Sequence, residues 1–125
     1  MSGKVVHFEI PTDDMERAQT FYKDVFGWEL MPIPDAKYTL VTTGPSGEQG
    51  PTEPGHINGG LMERDGQSSD HPVITIDVPD IDEALAKVEE AGGKTLRGRI
   101  EVMGMGWAAY FLDPEGNVTG LWQNA

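Results

Sequence analysis

The 125-residue chain has no cysteine, which excludes disulfides, thiolate nucleophiles and cysteine-held metals. It has no apolar run of bilayer-spanning length, so no membrane partner is expected. The N-terminal "MSGKVVHFEI" lacks the long apolar stretch of a secretory signal, and a cytoplasmic location is the expectation. Basic side chains are scarce: nine Lys and Arg stand against 21 Asp and Glu, a formal net charge of −12. Without a Lys/Arg cluster a phosphate backbone is repelled, so no nucleic-acid partner is expected. That charge favours cationic ligands over anionic ones, although solubility alone is a sufficient reason for it. No serine occupies a nucleophile elbow.

What is present is one domain's worth of chain, 38% hydrophobic and 24% charged, long enough to bury a core. In "KVVHFEI", Val5, His7 and Glu9 alternate with Val6, Phe8 and Ile10, the pattern of a half-buried strand. Asp13 and Glu16 are spaced as a capping box, and Met15, Ala18, Phe21, Tyr22, Val25 and Phe26 form a helical stripe that Gly27 ends. Strands are predicted at "WELMPI", "KYTLVTT" and "INGGLME", with a long polar loop, "GPSGEQGPTEPG", before the last. After "RDGQSSD" the order recurs. "HPVITIDV" is a strand with His71, Val73, Thr75 and Asp77 on one face, and Asp80 and Glu83 cap a helix bearing Ile81, Ala84, Leu85 and Val88. Gly92 and Gly93 stop that helix, and "KTLRGRI", "GWAAYFL" and "NVTGLWQ" supply three more strands.

The halves superpose in sequence. A shift of 66 matches Ile10 with Ile76, Asp14 with Asp80, Ala18 with Ala84, Gly27 with Gly93 and Leu30 with Leu96. A shift of 60 matches Gly60-Leu61 with Gly120-Leu121. Gly120 is notable because it interrupts a strand, where glycine gives no packing and marks a bend, a close approach or a missing side chain.

The doubled strand–helix–three-strand unit resembles the vicinal oxygen chelate superfamily of glyoxalase I, bleomycin-resistance proteins and extradiol dioxygenases. The matching stretches are "HFEIPTDDMERAQTFYKDVFGWEL", "VITIDVPDIDEALAKVEEAGGKTL" and "FLDPEGNVTGLWQ", of which "DPEGN" is the most specific. The ending "GWAAYFLDPEGNVTGLWQ" looks like that of glyoxalase-related members of unassigned activity. The resemblance implies an α+β fold of two pseudo-symmetric βαβββ modules, about 4–64 and 71–125, in one domain. Their curled mixed sheets would enclose a cavity, with the helices outside. Metal-dependent members place one ligand on the first and one on the fourth strand of each module. By position these are His7, Val73, Gly60 and Gly120, of which His7 alone can bind a metal. The family site is therefore expected to hold no metal. Symmetry-related glycines in place of ligands imply an opened floor, or else a bend in a curled sheet.

His71, Glu9, Glu63 and His56 lie near these positions, but a two-residue slip moves a side chain about 6–7 Å along a strand. That distance makes a rebuilt site a matter of different geometry. His7 and Glu9 are the best polar pair, suited to binding a ligand or exchanging protons, and equally to a satisfied structural pair. His56, in the glycine-proline loop, is expected to be solvated, and His71 exposed. Among Trp28, Trp107 and Trp122, one or two are expected to line the cavity or the dimer surface, although core packing is the commoner fate. "GGKT" is no phosphate loop, because it lacks the upstream glycine and follows a helix.

The expected function is binding of a small neutral or cationic organic compound, with no cofactor. The expected contacts are His7, Glu9, Gly60, Val73, Thr75, Trp107, Gly120 and Trp122. The alternative is a lyase, isomerase or dioxygenase-type enzyme using His7 and Glu9 or a non-standard metal site. A homodimer is expected, since sheet edges need cover.

Overall fold

A computed structural model describes residues 3–65 and 69–125; residues 66–68, within the stretch that opens the second half, lie outside the described residues. The chain forms two compact units, His7–Pro72 and Val73–Ala125, the latter with the residues up to Val6.

The first unit holds β1 (Val5–Thr12, from His7 onward), α1 (Met15–Phe26), β2 (Glu29–Ile33), β3 (Tyr38–Thr42) and, in the loop region, two short strands, β4 (Ser46–Gly47) and β5 (Gly50–Pro51). β6 (Asn58–Glu63) completes it. β2 pairs antiparallel with β3, β3 antiparallel with β6, and β6 parallel with β1. The second unit repeats this order with β7 (Val73–Asp77), α2 (Ile81–Glu90), β8 (Lys94–Val102), β9 (Gly106–Leu112) and β10 (Val118–Asn124). β8 pairs antiparallel with β9, β9 antiparallel with β10, and β10 parallel with β7. The fold class is the mixed α+β arrangement expected, and among the described residues no helix is long and apolar enough to cross a membrane.

Each helix begins at an aspartate. Asp14, in an extended conformation, accepts the Arg17 N–H at 3.0 Å, and Asp80 accepts the Glu83 N–H at 3.0 Å. The first cap is thus one residue later than the Asp13–Glu16 spacing predicts; Asp13 instead pairs with Arg64 at 2.9 Å. Gly27, at φ 72°, ends α1 in the left-handed conformation that glycine adopts without steric cost.

The two helices bury themselves differently. Ile81 and Leu85 of α2 close a core with Ala109 and Leu121, and Trp107 and Phe111 pack beside it. The Gln123 side chain accepts the Ile81 N–H at 2.8 Å, tying β10 to the first turn of α2. α1 buries no residue fully. Its inward row is Met15, Ala18, Gln19 and Tyr22, while Phe21, Val25 and Phe26 of the predicted stripe are 52%, 57% and 61% exposed. The contact is made instead by aromatic rings, Tyr22 stacked on Trp28 at 4.6 Å and Trp28 tilted against Phe8 at 5.6 Å, and by a Gln19–Thr39 hydrogen bond of 2.8 Å.

The two aspartates before α1 can be separated by urea denaturation. Asp14→Ala should cost about 1 kcal/mol, the usual loss of an N-cap. Asp13→Ala, which removes an exposed ion pair, should cost less than about 0.5 kcal/mol. Equal losses would contradict the cap assignment.

Candidate functional site

The alternation of β1 puts His7 and Glu9 on one face of its sheet and Phe8, against Trp28, on the other. Parallel pairing with β6 sets Glu9 opposite Gly60. From the other side β3 sets Leu40 opposite Gly60 and Tyr38 opposite Met62. Tyr38 therefore stands diagonal to Gly60, and its ring lies over that residue: a Cβ added to Gly60 would overlap the phenol. The hydroxyl lies between the two polar side chains, 2.9 Å from Glu9 Oε2 and 2.9 Å from His7 Nε2.

Proton counting orders these bonds. The phenol has one hydrogen, which it donates to the Glu9 carboxylate. Its oxygen then accepts from His7 Nε2–H, which fixes the Nε2–H tautomer and leaves Nδ1 as the ring's acceptor. Burial pushes the His7 pKa below its ordinary value, and the Glu9 charge opposes this less strongly. His7 is therefore neutral at pH 7. Glu9 is only 7% exposed, so a carboxylate here depends on donors such as the Tyr38 hydroxyl.

The expectation of an opened floor does not hold at Gly60, where missing side-chain volume is taken by Tyr38. Sequence reasoning missed Tyr38. The alternation in "KYTLVTT" puts it on the face of Leu40, but only the register brings it to Gly60. Neighbouring Gly59 has the same need on the opposite face, where Phe8 lies against it.

The other expected residues fall in the second unit. Thr75 pairs with Gly120, and a Cβ on Gly120 would meet Thr75 Oγ1 at 2.9 Å, so this floor too is partly covered. Val73, 1% exposed, is two residues before Thr75 on the same strand face. Trp122 shares the Gly120 face; its ring lies against Gly106, and its Nε1–H donates to Asn124 Oδ1 at 2.9 Å. Trp107 is separated from this set, because it packs with the α2 core and under the Arg99 guanidinium, 4.8 Å from its ring.

His71 is exposed as expected. His56 is not solvated: it lies on Gly44, and both ring nitrogens are buried without a hydrogen-bond partner. Glu63 is exposed at the end of β6. Among the described residues, no three His, Asp or Glu side chains are grouped to hold a metal ion. Two surface hollows, about 530 and 370 Å³, both touch Asp14, Arg17 and Phe21 at the start of α1 and share no residue with the His7–Tyr38–Glu9 cluster.

Known proteins agree with this frame. The Bleomycin resistance protein-like N-terminal family matches residues 4–44. A glyoxylase-like domain-containing protein of Didymella fabae is 30% identical, over 97% of this chain and 94% of its own length. A probable lactoylglutathione lyase of Vibrio parahaemolyticus is 31% identical, over 98% of this chain and 92% of its own. Methylmalonyl-CoA epimerase from Mycobacterium tuberculosis shares the fold at 19% identity, with a TM-score of 0.68 over 98% of this chain and 88% of that one. The chain belongs to the glyoxalase/bleomycin resistance/dioxygenase superfamily that its sequence resembles.

Two outcomes test the cluster. Tyr38→Phe should cost about 1–3 kcal/mol in urea denaturation, since His7 and Glu9 each lose a partner in a buried setting. Gly60→Ala should cost far more than Gly120→Ala, whose Thr75 neighbour can rotate away, and the Gly60 loss should shrink in a Tyr38→Ala background. Additive losses would mean that Tyr38 and Gly60 do not share this space.

The histidine adds a pH signature. With its folded pKa below the unfolded value of 6.5, the unfolded chain binds more protons at mildly acidic pH. The stability present above about pH 6.5 is then lost as pH falls through the folded pKa. His7→Gln should flatten the decline in Tm between pH 7 and pH 5.5; His56 and His71 are common to both proteins, so the difference isolates His7. A parallel decline would refute the assignment.

Proposed function

We propose that this protein binds a small organic molecule at the His7–Glu9 face of its first unit and does so without the superfamily's metal site. The donor set carries this reading. Val73, Gly60 and Gly120 have no ligating side chain, and His7 Nε2 is engaged by a hydroxyl rather than free for a cation. Zinc needs three or four donors at about 2.0–2.2 Å, which these positions cannot supply. What the first unit supplies at His7, Glu9 and Tyr38 is hydrogen-bonding direction, the polar element of a small-molecule site. A carboxylate at the site and the net charge of −12 favour neutral or cationic compounds over anions.

A second reading has its own support. The His7–Tyr38–Glu9 chain can move protons, and a relative at 31% identity is named a probable lactoylglutathione lyase. In that case the same residues would act as acid and base on a bound substrate. Association is part of the proposal too: the exposed Phe21, Val25 and Phe26 of α1 form an apolar face that a second copy would cover.

Metal analysis of protein purified without chelator tests the first reading. Far less than one equivalent of zinc, nickel, iron or manganese is expected; about one per chain, lost in His7→Ala, would overturn it. Screening should return neutral or cationic ligands, and Glu9→Gln should weaken the cationic ones most. Solvent deuterium entering a bound compound only while His7 and Glu9 are intact would favour the enzyme. Sedimentation at tens of micromolar should give a dimer, and a monomer would remove the association.

A further inference from the structure

We infer that the space over Gly60 is a receptor for a phenol-type hydroxyl, and that Tyr38 is an internal plug which such a ligand displaces. This rests on the small-molecule reading above and names the ligand's chemistry.

The shape comes first. A ring can lie against the β6 backbone here only because Gly60 has no Cβ, and Tyr38 is the ring that uses this room. The polar end is equally particular. Glu9 Oε2 requires a donor, and His7 Nε2–H requires an acceptor, both 2.9 Å from one oxygen. A hydroxyl meets both demands at once. A carboxylate brings no proton for Glu9, and an ammonium group can serve both only if His7 moves its proton to Nδ1, a step that a hydroxyl does not require. The corner therefore selects hydroxyl groups, and the flat slot beneath selects those borne on a ring.

The plug is placed to yield. Tyr38 is half-buried rather than enclosed. It follows the exposed turn between β2 and β3, in which Asp35 and Lys37 take left-handed φ values of 63° and 52°. Residues with side chains occupy that region unfavourably, so the turn loses little by changing conformation. The backbone bonds that hold it are long, 3.3 Å from Ala36 N–H to Ile33 O and 3.2 Å from Glu63 N–H to Lys37 O.

Calorimetric titration with p-cresol, which reproduces the tyrosine side chain, and with toluene, which lacks the hydroxyl, tests this. Wild type should bind p-cresol weakly, since Tyr38 competes for the space. Tyr38→Phe should bind it about tenfold tighter, because the plug has lost the hydrogen bonds that hold it in place. Tyr38→Ala should bind tighter still and prefer p-cresol to toluene by at least tenfold, and adding Gly60→Ala should abolish binding. Should Tyr38→Ala fail to fold, wild type and Tyr38→Phe decide the matter alone. Equal or weaker binding by Tyr38→Phe, equal affinity for toluene, survival of binding in the double variant, or no binding to wild type would each overturn the inference. A screened ligand that binds wild type and ignores both Tyr38→Phe and Gly60→Ala would sink the plug while leaving the small-molecule reading intact.

Discussion

Glu9 is a carboxylate with 7% of its surface exposed, and that burial organises everything around it. An ionised carboxyl group taken from water costs several kcal/mol unless donors replace the lost hydration. Tyr38 is one such donor, and for its hydroxyl to arrive, its ring must cross the β6 backbone at Gly60. Once the phenolic proton is committed to Glu9, His7 must donate through Nε2, which sets its tautomer. The strained turn at Asp35 and Lys37 immediately precedes the tyrosine on which these contacts depend. One buried charge thus connects a strand pattern, a missing Cβ and a histidine tautomer.

The internal repeat gives a control within the same chain. Shifted by 66, His7 becomes Val73 and Glu9 becomes Thr75; shifted by 60, Gly60 becomes Gly120. Met62 becomes Trp122, whose antiparallel partner is Ala108, so Ala108 holds the place that Tyr38 holds in the first unit. The backbone frame is repeated while all three polar members are replaced. Alanine cannot reach over Gly120, and Thr75 takes the nearby space. A glycine in the fourth strand is therefore insufficient to define a site. What distinguishes the first unit is a buried charge that requires a long polar side chain from the next strand.

The fold was more legible than the site, for physical reasons visible at single residues. Strands with clean alternation, as in "KVVHFEI", and helices stopped by Gly27 or Gly92 carry local signals, so their order could be read directly. The first cap was misplaced by one because Glu16 stands three residues after Asp13, whereas Asp14, the actual cap, has Arg17 at that spacing; the match of Asp14 to Asp80 in the repeat already held the answer. The inward face of α1 was misjudged because stacked rings and Gln19 replaced an aliphatic seam. His7 and Glu9 were legible from alternation within one strand. Tyr38 was not, since its place over Gly60 depends on registers between three strands, and register is a tertiary quantity. His56 was misread for a related reason: a loop residue looks solvated until the packing against Gly44 is known.

Replacing a ligating side chain by glycine does more than delete a donor. In a sheet, side chains diagonal across neighbouring strands come within reach of one another. A residue with a Cβ excludes its neighbour from the space above its own backbone, whereas glycine admits it. In the first unit the admitted neighbour is a phenol, and its two hydrogen bonds give the corner a donor–acceptor order that a metal ion does not have. Charges elsewhere on the chain are screened beyond about 8–10 Å at ordinary ionic strength, so this corner feels its own donors and acceptors more strongly than distant charges. On the backbone of the superfamily, this chain thus sets a hydrogen-bonded tyrosine over Gly60, the position at which the resemblance places a ligating side chain.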